Sequence, residues 1–175
     1  MANINEMGGR GNPSTQGMEG QGMQQAKRRE IPVEQRRQMR HDARVSQTWK
    51  KFLHRIMAYG LSEEQAEQAA VAVLCTLEQR LAGNESAHLE AQLPLKLREL
   101  LHRCDMHEKG GDMRKLGRRE FLERVASHFP DARGDAEHMC RAVFGAVHDH
   151  IDKGEVKDIV DQLPMDLKEL WHPVQ

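Results

Sequence analysis

The sequence predicts an all-α protein, and three observations carry that expectation. Aromatic residues make up only 4% of the chain against 38% apolar residues in total, so the core must rest on Leu, Val, Ala and Met. Those residues suit packed helices better than sheets, which draw on aromatic and β-branched side chains. Apolar positions also recur every three to four residues, the helical period. Finally, "EAQLPLKLRELLH" at 90–102 returns as "VDQLPMDLKELWH" at 160–172, a constant offset of 70. The expected architecture is two pseudo-symmetric four-helix half-repeats, each long-long-short-short, packed into one helical domain behind a disordered leader and a basic helix.

Residues 1–26 mix Gly, Gln, Asn, Ser and Met without an apolar period. Such a stretch cannot bury enough surface to offset its ordering entropy and is expected to be disordered. Residues 27–48 read as a basic helix or linker, with Pro32 suited to a first helical turn. The helical domain is expected over 49–175, with halves 49–103 and 118–172 and a Gly- and charge-rich linker, 104–117.

Trp49, Phe52, Leu53 and Ile56 fall at i, i+3, i+4 and i+7, on one helical face. Gly60 ends that helix, and Ser62 with Gln65 forms a capping box for the next. Ala66, Ala69, Ala70, Val73, Leu74, Leu77 and Leu81 then trace an apolar stripe. Gly83 and Asn84 break the chain as C′ and N-cap residues. A short helix carries Leu89, and another starts with Pro94 at its first position and buries Leu97, Leu100 and Leu101.

The second half repeats this plan. Phe121, Leu122, Val125 and either His128 or Phe129 stand for the first helix, at an offset of 69. Ala136, Met139, Cys140, Val143, Phe144, Val147 and Ile151 form the long stripe at an offset of 70, and Ile159 stands over Leu89. The extra residue falls in "PDARGD", a loop insertion of small thermodynamic weight.

This doubled pattern resembles an uncharacterised bacterial family of all-helical domains built from two half-repeats, each ending in QLPxxLxEL. The first half carries it as Ala66-Glu67, Ala72-Val73-Leu74, Arg80-Leu81 and 92–101. The second carries it as Ala136-Glu137, Ala142-Val143-Phe144 and 162–171. The resemblance spans 49–172 and leaves everything before Trp49 outside. It implies a helical fold and a bacterial source, and it assigns no catalytic or ligand-binding residue.

The formal net charge is −1, which points by itself to neither nucleic acid nor membrane. The distribution says more. Between 27 and 51, Lys27, Arg28, Arg29, Arg36, Arg37, Arg40, Arg44, Lys50 and Lys51 oppose only Glu30, Glu34 and Asp42. Arg36, Arg40 and Arg44 lie at i, i+4 and i+8 on one face, a row that suits a phosphate backbone or an anionic protein. Such a run is also read as a solvated face or as a segment docked on the acidic remainder of the chain. No aromatic interrupts the row of Arg36, Arg40 and Arg44 for base stacking, and it presents no apolar face for a membrane.

Three cysteines, Cys75, Cys104 and Cys140, with no C-x-x-C pair point to a reducing, cytoplasmic setting. No apolar run approaches the roughly 18 residues of a membrane span. Cys104-x-x-His107 has ligand spacing, but structural zinc wants four ligands and no second pair follows. His148 and His150, like His138 and Cys140, are two apart and diverge on a helix. Cys75 and Cys140 sit on apolar stripes as small hydrophobes, and Cys104 is the thiol expected to be exposed. No GxSxG, HExxH, P-loop or GxGxxG is present, and no carboxylate sits on an otherwise apolar face.

Turn chemistry accounts for the repeated corners. Gln92 and Gln162 are expected to cap the end of their own short helix or the start of the next, Leu93 and Leu163 to staple the corner, and Pro94 and Pro164 to open the last helix. The resulting expectation is a non-catalytic interaction or scaffold domain with an unidentified protein partner, no cofactor and no membrane. The alternatives are a non-specific nucleic-acid-associated protein using 27–51, and a metal or thiol protein using Cys104 and His107.

Overall fold

The computed structural model describes residues 31–104, 116–129 and 135–171, and among them every regular element is a helix. In chain order these are α1 (Val33–Met57), α2 (Glu63–Arg80), α3 (Glu85–Gln92), α4 (Leu95–His102), α5 (Arg118–Ala126), α6 (Ala136–His150), α7 (Lys153–Gln162) and α8 (Met165–Trp171). The chain divides into two units, Met1–Pro32 and Val33–Gln175, and all eight helices belong to the second. The leader expected at 1–26 and nearly all of the expected linker lie outside the described residues.

Local chemistry sets the helix ends. Ser62 and Gln65 form the expected reciprocal capping box, with Gln65 N–H donating to Ser62 Oγ and Ser62 N–H to Gln65 Oε1. Gly60 and Gly83 take φ of 88° and 67°, the left-handed region that only glycine enters without strain, but Gly83 stands one place beyond the expected C′ position, since Leu81 is the C-cap of α2. Asp135 and Asp152 cap α6 and α7 through their carboxylates. Asn84 precedes α3 without a side-chain cap bond. Pro94 stands one position earlier than expected, as the N-cap of α4: its ψ of 137° is extended, so it precedes the first helical turn.

The helices α2 and α6 form the centre. The first packs against α1, α3, α4, α5 and α6, and the second against α1, α2, α5 and α8. Their buried faces carry small residues, Ala66, Ala69, Ala70 and Ala72 on α2 and Ala142, Gly145 and Ala146 on α6. Around them Phe52, Ile56, Leu89, Leu97, Phe121, Ile159 and Leu167 are buried, each contributing about 1.5–3 kcal/mol by removal from water. Phe129, not His128, occupies the buried position after α5, and Leu100 is half-buried where full burial was expected.

Helix ends recur at the expected offset. α2 and α6 end at Arg80 and His150, α3 and α7 at Gln92 and Gln162, and α4 and α8 begin at Leu95 and Met165, each pair 70 apart. At an offset of 69, α5 matches Trp49–Met57, the C-terminal part of α1. The second half thus opens on a short helix rather than a long one. The part of α1 before Trp49 has no counterpart in it, and α1 runs through the boundary expected at 48/49.

Candidate functional site

Residues 33–44 of α1 are exposed without exception, Val45 and Thr48 are half-buried, and burial begins at Trp49. At 1.5 Å per residue, the exposed stretch is about 18 Å long. With 100° per residue, Arg36, Arg40, Lys51 and Arg44 fall within about 80° of arc, with Lys50 and Arg37 on its flanks. Trp49, Phe52, Leu53 and Ile56 face the opposite way into the core. Glu34 and Asp42 lie on that opposite side, where Asp42 Oδ1 accepts from Gln38 Nε2 at 2.8 Å. Positive and negative charge are therefore segregated around the helix, and the cationic face is exposed. Lys27, Arg28 and Arg29, the first part of the basic segment, lie outside the described residues.

The repeated corners act across the molecule. Gln162 Oε1 accepts the N–H of Ala82 at 2.8 Å, and Gln92 Oε1 accepts the N–H of Asp152 at 2.9 Å. Ala82 and Asp152 are themselves counterparts at the same offset, each just past the C-cap of the long helix of its half. The expectation that each glutamine caps a helix of its own half is therefore corrected. An N–H two places past a helix end has lost the i−4 carbonyl, and the glutamine of the facing half supplies the acceptor. Leu93 and Leu163 are buried, as is Pro94, while Pro164 is half-buried.

Beside one of these corners lies a buried carboxylate that the apolar pattern did not show. Glu155 on α7 is 8% exposed, and its Oε2 accepts from Gln92 Nε2 at 3.4 Å. Glu85, its counterpart on α3 in the first half, faces it, and the ligand atoms of Glu85, His88 and Glu155 lie within 4.8 Å of one another. Burial, then the Glu85 charge, raises the Glu155 carboxyl above its ordinary range. On α2, burial and the Glu90 charge push Glu78 up to about 8.

The thiols are arranged differently from expectation. Cys75 is fully buried on α2, but its Sγ lies 2.8 Å from Sγ of Cys104, just after α4, so it is no isolated packing group. Cys104 is half-buried rather than exposed. His128, after α5, completes a cluster whose three ligand atoms lie within 4.8 Å of one another. Gln79 Nε2, at the next turn of α2, donates to Cys75 Sγ at 3.3 Å. Burial first, and then the hydrogen bond with Cys104, push the Cys75 thiol upward. Cys140 is buried apart from this cluster, and burial raises its thiol too. His107 lies outside the described residues, so the Cys104-x-x-His107 pair is not among the described contacts.

A family model described as "Uncharacterized conserved protein (DUF2267)" matches residues 49–170. The chain belongs to this family. No curated protein matches the sequence. The DUF2267 match begins at the residue where burial of α1 begins, so the stretch 33–48, with Arg36, Arg37, Arg40 and Arg44, lies outside it. The reciprocal glutamines, Glu155 and the Cys75–Cys104–His128 cluster lie within it.

Sequence reasoning missed the grouping of Cys75 with His128 because it joins three elements far apart in the chain. The usable signal was negative. Cys75 falls at a stripe position whose counterpart in the second half is Gly145, and His128 falls where the first half has Tyr59.

Proposed function

We propose that this DUF2267 protein is a non-catalytic interaction domain of the bacterial cytoplasm, in which the duplicated bundle is scaffold and the projecting half of α1 is the contact surface for an acidic partner protein. The observation that carries this reading is the solvated, charge-segregated face of α1 outside the family match. The constant spacing of helix ends and the reciprocal glutamine bonds support a scaffold made by duplication. Among the described residues no helix is long and apolar enough to cross a membrane.

The test is capture from a bacterial lysate treated with nuclease, using the full chain and its Arg36→Glu, Arg40→Glu, Arg44→Glu triple variant. Retention of an acidic protein by the full chain and its loss from the variant is the expected outcome. Equal capture by both would refute a role for the arm.

A second reading, non-specific binding to nucleic acid, is favoured by the uniform sign of the same face, since a row of cations can follow a phosphate backbone. Affinity for duplex DNA would then fall steeply with salt and vanish in the triple variant. Absence of binding at low salt would exclude it.

A further inference from the structure

We propose that Cys75, Cys104 and His128 form a binding site for a soft divalent metal ion of the zinc class. This goes beyond the interaction role of α1 and is independent of it, since none of the three residues lies on that helix. Three separate elements bring the ligand atoms together: α2 carries Cys75, the turn after α4 carries Cys104, and the turn after α5 carries His128. Within 4.8 Å of one another, the two sulfurs and the imidazole nitrogen can all touch one ion. With Zn–S of about 2.3 Å and Zn–N of about 2.0–2.1 Å, the ligand atoms of a tetrahedral site stand roughly 3.5–3.8 Å apart.

The sulfurs are 2.8 Å apart, farther than the roughly 2.05 Å of a disulfide and closer than two ligands of one tetrahedral ion. Seating the ion requires them to part by about 1 Å. Cys104 can supply that movement, because it is half-buried beyond the end of α4.

The chemistry of the donor set selects the metal. Two thiolates and a neutral imidazole favour zinc, copper(I) or iron over magnesium or calcium, which take oxygen ligands. Each thiol releases its proton to solvent as its sulfur–metal bond forms, so two thiolates balance the charge of a divalent ion and the buried centre is neutral. Three protein ligands leave the fourth tetrahedral position to water. A surface pocket of about 220 Å³ lined by Glu67, Gln68, Val71, His128 and Phe129 borders the histidine.

The site is specific to one side of the duplicated plan. An ideal Cβ on Gly145, the counterpart of Cys75, would lie 3.0 Å from the hydroxyl oxygen of Tyr59, the counterpart of His128. There the space of the thiol is filled by a phenol, and among the described residues no such ligand set stands at that place.

The experiment is cobalt(II) and zinc(II) titration of the untagged, fully reduced chain, read by the near-ultraviolet thiolate-to-cobalt charge-transfer band and by elemental analysis after zinc loading. One metal ion per chain is expected, with the band lost in Cys104→Ser. In His128→Gln, affinity should fall by more than the roughly 10- to 100-fold that loss of an outer-shell partner costs. Cys140→Ser, whose thiol is buried elsewhere, should bind as the parent does, and circular dichroism of each variant shows that it folds. Binding of undiminished affinity in Cys104→Ser would place the metal away from this cluster and overturn the proposal. So would a reduced parent chain that takes up no metal and instead loses two hydrogens by mass on air oxidation, which would make Cys75 and Cys104 a disulfide pair.

Discussion

Gln162 accepts the backbone N–H of Ala82 at 2.8 Å, a bond that crosses from the second half of the chain to the first. Its counterpart from Gln92 to Asp152 crosses in the other direction at 2.9 Å. Gln162→Ala should cost about 0.5–1.5 kcal/mol, the net worth of one such bond, because Ala82 is exposed and water can replace the lost acceptor. Gln92→Ala should cost more, since Gln92 also donates to the buried Glu155. Urea unfolding of both variants with an unchanged m-value checks the order. A larger loss at Gln162 would mean that the bond from Gln92 to Glu155 adds nothing to stability.

Leu97 and Leu167, counterparts on α4 and α8, are both 0% exposed. Each truncation to Ala removes the same side chain from a closed site, so each should cost about 2–5 kcal/mol, the range for buried Leu. Chemical denaturation of the two single variants reads both values. A large loss at one position with a negligible loss at the other would break the picture of two like halves sharing one core.

Much of the fold was legible because helix periodicity and turn chemistry are local. The stripe from Ala66 to Leu81, the Ser62–Gln65 box and the stop at Gly60 each need only residues within a few turns of one another, and all occur as read. The corners were legible as corners. Their hydrogen bonds were not, since Gln162 and Ala82 stand 80 residues apart and no local rule links them. Cys75, read as a packing residue from its stripe position, gains its neighbours Cys104 and His128 only when α2, α4 and α5 meet. Glu155 escaped notice for a related reason: α7 is short and mostly polar, so the depth of that position depends on how α3 packs against it.

Glu78 gives the protein a definite pH dependence. Its ordinary value of 4.5 is pushed up to about 8 by burial and by Glu90, so folding opposes its ionisation. Below about 4.5 the carboxyl is protonated both folded and unfolded and there is no penalty. As the pH rises through the window from 4.5 to about 8, the unfolded chain ionises first and stability falls; above it the full penalty stands. Glu78→Gln should therefore stabilise the protein at pH 8.5 and change little near pH 4.5. His150, whose imidazole is lowered mainly by burial, adds a pH dependence of its own. It is common to both proteins, so the difference between variant and parent isolates Glu78. A variant destabilised at pH 8.5 would show that the carboxylate is held charged and paired in the fold.

Separation of arm from bundle makes the last prediction. Every residue from 33 to 44 is exposed, whereas the apolar contacts of α1 start at Trp49. Surface substitutions away from caps and cores usually stay within about 0.5 kcal/mol. Reversing Arg40 and Arg44 to Glu together should therefore leave the urea midpoint of the bundle nearly unchanged. The local helix is another matter. An isolated helix of this length is marginal in water and relies on continuing from a packed segment, so a Pro at Met39 should unravel the residues before it and spare those after. Amide hydrogen exchange resolves the two effects: fast exchange limited to residues before 40, with Trp49–Met57 still protected, is the expected pattern. Loss of protection through Ile56 would mean that the arm helps to hold the bundle, and charge reversal could then no longer be read as a test of partner binding alone.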